Sequence, residues 1–398
     1  MKKILTAATI FALSLGANSM AGSHSKTIKM GIILGFTGPI ESLTPAMAAS
    51  AELAFNEASE SGSLLNGSKI EVVRADSTCV DSAAATAAAE EVISQGVAAI
   101  MGADCSGVTT AIASNVAVPN GIVMISPSAT SPALTELADN ELFFRTAPSD
   151  KRGGQVLADA TKDKKIKSVA ITYQNSDYGK GLSDMYKIGL ASHGIKITAE
   201  IAHEDGKADY SSEVATLAAA GGDAVAVLGY LDQGGKGIIQ ASLDSGAFDT
   251  FVLGDGMVGQ SLVDAFGNDL KKSVATRPGS EGKGMTLFTP VADAGGIDPE
   301  APYAASSYDA GALLVLAVQA GKSADKASIA KHVMDVANAP GTKIYPGELK
   351  KGLDLLAKGK KINYEGASDV TFTNEGDATG SFLEQVVKDG KFVTSRTR

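Results

Sequence analysis

The fold is decided by residues 168–201, which read SVAITYQNSDYGKGLSDMYKIGLASHGIKITAEI. Ser168–Thr172 is a short apolar run typical of a buried strand, and the turn Asp177-Tyr178-Gly179 leads from it into a predicted helix at about 181–192. A second strand is predicted at Lys196–Ile201. Strands joined through a helix run parallel, so this stretch predicts a βαβ unit of an α/β fold.

The same alternation of strands and helices occurs twice between residues 26 and about 287. Each round predicts four strands with three helices between them. We therefore predict two lobes, each a parallel sheet flanked by helices and built on one supersecondary plan. The predicted strands are 28–34, 70–75, 97–101 and 122–125 in the first round, and 168–172, 196–201, 224–228 and 250–253 in the second.

The last hundred residues follow a different pattern. They predict helices at 303–319 and 327–336, then strands at 369–372 and 382–388 around a turn at 374–377. This tail is too small for a third lobe, so we expect it to complete the other two.

The first 21 residues predict a secretory signal peptide. Lys2 and Lys3 form a positive start, the run Ile4–Leu15 is mostly apolar, and the small residues around Met20 fit cleavage after Ala21. The apolar run is shorter than the ~20 residues that a membrane-spanning helix needs. The pattern predicts export to a bacterial periplasm or an equivalent secreted space.

Length and charge narrow the class of protein. Without the signal peptide the chain has 377 of its 398 residues, more than the ~250–300 at which one core divides into domains. The net charge of −10 becomes −12 once Lys2 and Lys3 are removed. An acidic chain lacks the basic footprint of a nucleic-acid partner, so we predict none.

The chain contains two cysteines, Cys79 and Cys105. In an oxidising compartment such a pair favours one disulfide, with two buried thiols as the alternative. The cysteines and the four scattered histidines form no spacing typical of metal ligands, so we predict neither a metal nor a cofactor.

The candidate binding residues follow the predicted strands. In open parallel sheets, ligands bind beyond the carboxyl ends of the strands. These ends carry hydroxyls and small side chains in the first round, and tyrosines and acids in the second. They are Thr37–Pro39, Asp104–Gly107 and Ser126–Thr130 in the first round, and Asn175–Gly179, Tyr230–Asp232 and Asp255–Met257 in the second.

The two sets suit the two ends of a zwitterion. A serine at a helix start, such as Ser106, offers a hydroxyl and free N–H groups to a carboxylate. An acid beside aromatic rings, such as Asp255 or, as a second candidate, Asp232, suits an ammonium group. Each residue also has an ordinary interpretation, as a helix cap, a turn residue or a packing aromatic. Their shared topological position favours binding.

Catalytic patterns are poor. Asp104-Cys105-Ser106 has no histidine close in sequence, and Ser106 lacks the Gly-x-Ser-x-Gly context of a nucleophile elbow. The runs Gly179-Lys180-Gly181 and Gly282-Lys283-Gly284 are too short for a phosphate-binding loop. We therefore predict a binding protein and not an enzyme.

Taken in order, several segments resemble the periplasmic binding proteins of branched-chain amino-acid importers, the leucine/isoleucine/valine-binding type. The resemblance extends from Ile28 to Phe392; each segment alone is unspecific, but the whole series is specific. The segments are Gly38-Pro39 with the Ala-rich helix after it, Cys105-Ser106, Met124–Pro132, Phe144–Thr146, Asp177–Gly181, Ser307–Ala310 and Phe372–Asp377.

The resemblance implies a type I periplasmic binding protein, in which two lobes joined by three crossings close on a free amino acid. It implies a monomer that docks on an ABC permease in the inner membrane. The implied bounds are 26–149 with 290–379 for the N-terminal lobe and 150–289 with 380–398 for the C-terminal lobe, with crossings near Ser149, Thr289 and Gly380.

The resemblance also implies roles for individual residues, and it matches Cys79 and Cys105 to a disulfide of the family. The implied site residues are Ser106, Ser128 and Thr130 for the ligand carboxylate, Tyr230 and Asp255 for its ammonium group, and Tyr178 and Tyr303 as pocket aromatics.

Two departures from the family pattern leave the identity of the ligand's side chain undecided. Asp255 stands where leucine-type relatives carry the longer Glu, and Leu43 stands near a position where they carry a bulky aromatic. Urea, short amides and other small zwitterions are alternative ligands. A periplasmic sensor or amide-binding regulator on the same fold is the alternative function, although we expect such a protein to be fused to a membrane span or a signalling domain.

Overall fold

Two large β-sheets organise the computed structural model, which describes residues 26–398. The predicted signal peptide lies outside the described residues. The first sheet is parallel throughout and has the spatial order β2-β1-β3-β4-β5. Its strands are β1 (Thr27–Leu34), β2 (Lys69–Asp76), β3 (Ile100–Gly102), β4 (Met124–Ser126) and β5 (Phe143–Arg145).

Helices cover the faces of this sheet because its strands are apolar on both sides, as in β1, where seven of the eight residues are buried or half-buried. They are α1 (Thr44–Glu60), α2 (Ser82–Ser94) and α3 (Ser106–Ile112).

The second sheet begins with five parallel strands that repeat this plan. The strands are β6 (Ser168–Gln174), β7 (Lys196–His203), β8 (Ala224–Leu228), β9 (Phe251–Leu253) and β10 (Val274–Pro278). The helices around them are α4 (Asp150–Asp163), α5 (Asp177–Ser192), α6 (Ser211–Ala220), α7 (Lys236–Ser245) and α8 (Gln260–Phe266).

The rest of the chain completes both lobes, as expected. The almost fully buried α10 packs on α1 of the first lobe. The elements are α9 (Lys283–Ala294), α10 (Ala304–Ala320), α11 (Lys326–Ala337), β11 (Thr342–Ile344), α12 (Leu349–Ala357), β12 (Ile362–Tyr364), β13 (Thr371–Phe372), β14 (Ala378–Thr379), β15 (Phe382–Lys388) and β16 (Lys391–Thr397). Strands β15 and β16 extend the second sheet, in the order β16-β15-β10-β9-β8-β6-β7. The predicted strands at 369–372 and 382–388 correspond to β13 and β15, which do not pair with each other: β13 pairs with β14, and β15 pairs with β10 and β16.

The lobe bounds stay a prediction. The expected crossing near Thr289 falls inside α9, where Phe288 packs against Tyr308 of α10 with ring centroids 5.4 Å apart. That packing joins α9 to the first lobe and favours a crossing at residues 279–282, between β10 and α9.

The Cys79–Cys105 disulfide is confirmed, with a Cα–Cα distance of 5.2 Å. The two cysteines follow β2 and β3, and the expectation that these strands are neighbours is wrong, because β1 lies between them. The bridge therefore crosses the end of β1, where a Cβ on Gly35 would lie 3.0 Å from the Cβ of Cys79. Glycine at this position leaves room for the bridge.

No helix within residues 26–398 combines the length and the apolar character needed to cross a membrane.

A candidate ligand-binding cavity between the lobes

A small cavity lies where the carboxyl ends of the two sheets face each other. It is small, with about 20 Å³ of space open to water. Six of the seven predicted site residues line it. The wall consists of Ile40, Leu43, Asp104, Cys105, Ser106 and Ser128 from the first lobe, Tyr178, Tyr230, Asp255 and Gly256 from the second, and Tyr303 at the start of α10.

Asp255 supplies a buried carboxylate at the end of β9, with 5% of its surface exposed. The Tyr178 hydroxyl donates to Oδ1 at 2.6 Å, and the Tyr303 hydroxyl donates to Oδ2. Burial raises the pKa of Asp255, and the two tyrosine hydrogen bonds lower it in part. A carboxylate oxygen can accept two hydrogen bonds. Each oxygen of Asp255 accepts one from a tyrosine hydroxyl, so both can accept another from a ligand.

The tyrosines form an aromatic wall beside this carboxylate. The rings of Tyr178 and Tyr230 stack with centroids 5.0 Å apart and an interplanar angle of 18°. The Gly256 N–H donates to the Tyr178 hydroxyl at 2.9 Å. A Cβ on Gly256 would lie 2.6 Å from the Gly229 carbonyl oxygen and 3.0 Å from the Tyr230 ring, so only glycine fits directly after Asp255.

The three residues predicted to bind a carboxylate have different surroundings. Ser106 begins α3, and its Oγ accepts a hydrogen bond from the Ser131 N–H at 3.1 Å, which leaves its own hydrogen free to donate. The Ser128 hydroxyl already donates to the Asp104 carbonyl oxygen at 3.0 Å. Thr130 is buried outside the cavity wall, and its hydroxyl has no partner among the described residues. Ser106 is therefore the best placed of the three as a donor.

The sequence placed Asp104 at a candidate strand end but indicated no role for its side chain, and the structure places it in the cavity wall. Its Oδ2 accepts from the Gly35 N–H at 2.7 Å, and its Oδ1 accepts from the Cys105 N–H at 2.9 Å and from Ser77 at 3.2 Å. Burial raises the pKa of Asp104, and these hydrogen bonds oppose the rise. The carboxyl group braces the loops after β1, β2 and β3, so it holds the Ser106 end of the cavity in place.

Asp150 is a second buried acid near the site that the sequence did not reveal. Burial raises its pKa well above the ordinary value, and the charge of Asp255 raises it further. Its Oδ2 has no hydrogen-bond partner within residues 26–398. At the start of α4 it resembles an ordinary helix-start acid, and only the fold brings it near Asp255.

Asp232, the second candidate for an ammonium group, lies outside the cavity wall and links the lobes at its rim. Its N–H donates to the Pro39 carbonyl oxygen at 2.9 Å, and its Oδ2 accepts from the Ser42 N–H at 2.9 Å. Its Oδ1 accepts from the Ser261 hydroxyl at 2.9 Å. The contacts with Pro39 and Ser42 join the second lobe to the first, and the contact with Ser261 orients the Asp232 side chain within the second lobe.

The site offers no metal centre: no three or more His, Cys, Asp or Glu side chains in the described part of the chain are arranged to hold an ion.

Comparisons with known proteins agree with this architecture. Residues 27–346 match a family described as periplasmic binding protein. A Leu/Ile/Val-binding protein homolog of Brucella melitensis is 32% identical over 319 residues, which are 79% of this chain and 84% of that protein. A leucine binding protein of Thermotoga maritima has a TM-score of 0.77 at 23% identity, covering 93% of this chain and 98% of that one. A solute binding protein of R. palustris in complex with benzoate has a TM-score of 0.75 at 18% identity, covering 93% and 96%.

Proposed function

Because the chain belongs to the periplasmic binding protein family, we propose that it binds a free α-amino acid between its lobes and delivers it to an ABC permease. One observation carries the proposal. A buried carboxylate, oriented by two tyrosine hydroxyls, faces a free serine hydroxyl at a helix start across a small cavity.

The charges in the cavity match a zwitterion. A ligand taken from water loses hydration at both charged ends, and fixed protein groups must replace it. An ammonium group has three donors and needs acceptors, which Asp255 supplies beside the stacked rings of Tyr178 and Tyr230. A carboxylate needs donors, which the Ser106 hydroxyl and the free N–H groups at the start of α3 supply.

The size and polarity of the wall favour a short aliphatic side chain. Ile40 and Leu43 are the apolar side chains that line the cavity, apart from the aromatic rings and the disulfide, and both are buried. A small cavity with so little apolar surface suits a small neutral or branched-chain amino acid.

The proposal includes location and mode of action. The predicted signal peptide and the disulfide favour a periplasmic protein, and the contacts of Asp232 with Pro39 and Ser42 favour binding by lobe closure. We propose that the closed protein acts as a monomer and docks on the permease in the inner membrane.

Other ligand classes fit the charges less well. An aromatic acid such as the benzoate bound by the R. palustris protein has no cation to pair with Asp255. Closure of the lobes around benzoate would leave the buried Asp255 carboxylate beside a second negative charge. Urea or a short amide is the remaining alternative, because the cavity is small and Asp255 also accepts from neutral N–H groups.

A thermal-shift screen tests the proposal. The panel contains alanine, threonine, valine, leucine and isoleucine, with 4-methylpentanoate and isopentylamine as leucine analogues that each lack one charged end, and urea, acetamide and benzoate. A ligand that binds only the native state at 100 times its Kd stabilises it by about 2.7 kcal/mol. We expect a complete amino acid to give the largest shift. A larger shift with urea, acetamide, benzoate or either analogue would contradict the proposal.

A further inference from the structure

A second cavity lies at the hinge, where the three segments between the lobes run side by side. Its space open to water is about 30 Å³, against about 20 Å³ for the cavity between the lobes, so the two cavities are of similar size. Each linking segment contributes to its wall, with Pro148 from the first, Gly279 from the second and Gly380 from the third. The cavity therefore lies where it can influence opening and closing.

Arg277, near the end of β10, is the buried charge in this wall, with 7% of its surface exposed. Its guanidinium donates to three neutral oxygens, each at 3.3 Å: Oε1 of Gln385 and the carbonyl oxygens of Pro278 and Glu300. Three of its five N–H groups are thus used in long hydrogen bonds. The nearest carboxylate, on Glu300, is 3.6 Å away on a side chain that is 66% exposed, so water screens that pair.

Arg145 shows how the same chain neutralises a buried guanidinium completely. Its Nε donates to Oδ1 of Asp377 at 2.6 Å, and Nη1 donates to the carbonyl oxygens of Ala129 and Ser131 at 3.1 and 2.8 Å. Arg277 has no comparable partner within the described residues. A buried cation without a close anion is costly, so it indicates a site where a ligand supplies the negative charge.

We propose that the hinge cavity binds a small monocarboxylate through Arg277. The guanidinium presents its N–H groups in a fork that matches the two oxygens of a carboxylate. Three of the hydroxyls in the wall already donate within the protein: Ser280 to Asp369, Thr146 to the Ser306 carbonyl oxygen, and Ser306 to the Tyr303 carbonyl oxygen. One anionic head group is therefore the polar requirement of this site.

The rest of the wall defines the body of the ligand. It is largely apolar, which suits a short hydrocarbon chain such as that of propionate or butyrate. Arg277 also borders the wider cleft between the lobes, which gives a route of entry from solvent. The apolar wall residues are Pro148, Pro278, Met285, Pro299, Ala301, Ala305 and Leu383.

Tyr303 connects this cavity to the one between the lobes, because it lines both. Its hydroxyl donates to Asp255, and its backbone has the left-handed φ of 62°, which is uncommon for a residue other than glycine. A carboxylate held against Arg277 and Tyr303 therefore favours the closed arrangement. By linkage, it raises the affinity for the ligand between the lobes, and that ligand raises its affinity in turn.

Titration of the ligand-free protein with sodium propionate, at constant ionic strength, tests the site without reference to the proposed amino-acid binding. We expect a saturable rise in Tm, with half-saturation in the millimolar range, and a matching heat by calorimetry. Sodium chloride at the same ionic strength should not reproduce it. A rise that is linear in concentration, or equal with chloride, would overturn the proposal.

Three variants locate the site. Arg277→Gln should abolish the saturable response. Ala305→Leu fills the cavity and leaves the guanidinium in place, so it should also abolish the response. This second variant tests the site even if Arg277→Gln does not fold. Glu300→Gln removes the competing carboxylate and should retain or strengthen propionate binding. An unchanged response in both Arg277→Gln and Ala305→Leu would overturn the assignment.

The coupling to the site between the lobes, which rests on the proposed function, is measured separately with the best amino acid of the screen. Saturating propionate should raise its affinity at least about fivefold in the parent protein and not in Ala305→Leu. An unchanged affinity in the parent would overturn the coupling while leaving the hinge site intact. If no amino acid binds, the proposed function fails independently of the propionate result.

Discussion

Replacing Asp255 by Asn is the sharpest test of the proposed ammonium site, because it removes the charge and keeps the shape of the side chain. The carboxylate accepts from the hydroxyls of Tyr178 and Tyr303 and lies buried in the cavity wall. The amide keeps one acceptor oxygen but places an NH₂ group where the other oxygen accepts. The ligand ammonium then loses its anionic partner in a site that excludes water.

The expected loss of affinity follows from this burial. Truncating one partner of a buried, hydrogen-bonded charge pair costs about 2–5 kcal/mol, which is roughly 30-fold to 4,000-fold in Kd. Ser106→Ala is the matched variant at the carboxylate end. It removes one hydroxyl and keeps the backbone N–H groups of α3, so its loss should be smaller, about 1–2 kcal/mol.

Isothermal titration calorimetry of both variants and the parent, with the best amino acid, measures these losses. The pH dependence adds a second criterion. The ammonium group needs Asp255 ionised, and burial raises the pKa of this carboxyl group, with buried Asp150 nearby. Affinity in the parent should fall as the pH falls through that raised pKa, whereas Asp255→Asn should show a flatter profile. Binding of Asp255→Asn within a few-fold of the parent would refute the reasoning.

The remaining predictions concern stability and closure. Replacing Cys79 and Cys105 by Ser should lower the free energy of unfolding by about 3.5 kcal/mol in urea titrations, since the cysteines are 26 residues apart; a loss below about 1 kcal/mol would contradict this. Burial lowers the pKa of His203 from 6.5 to about 4. Between these pH values the unfolded chain binds a proton at this residue and the folded chain does not. The free energy of unfolding should therefore fall by up to about 3 kcal/mol as the pH falls from 6.5 to 4. Unfolding measured at both pH values should show a smaller loss for His203→Gln, and an equal loss would exclude this residue as the cause. Asp232→Ala removes the acceptor of the Ser42 N–H at the rim and should weaken ligand binding by about 1–2 kcal/mol, mainly through faster dissociation in stopped-flow experiments; an unchanged dissociation rate would argue against a role in closure.

The repeated βαβ pattern predicted most of the fold from sequence. The type I architecture and the family resemblance are confirmed, and β8 and β15 have the predicted bounds. The strands that were missed are short or polar. Strand β5 has three residues, β10 ends in Thr-Arg-Pro, and β16 reads KFVTSRT, so none shows the long apolar run that identifies a buried strand.

The candidate cavity was also largely predictable, because strand ends converge wherever parallel sheets face each other. The limits appear where a role depends on a contact that is distant in sequence. Ser128 and Thr130 follow the same strand as expected, but the direction of one hydroxyl and the position of the other depend on packing. Asp150 is 105 residues from Asp255, and no local pattern links them.

The hydrogen bond from Tyr303 to Asp255 has a consequence for the energetics of the proposed transport. Tyr303 begins a helix packed on the first lobe, whereas Asp255 belongs to the second. Closure of the lobes therefore moves this carboxylate from water into a buried site. Without a ligand cation to pair with it, the carboxylate must either take up a proton or stay buried as an unpaired charge. That penalty biases the unloaded protein towards the open form. If the protein delivers its ligand to an ABC permease, as proposed, this bias keeps the unloaded closed form from reaching the permease and limits futile cycles of ATP hydrolysis.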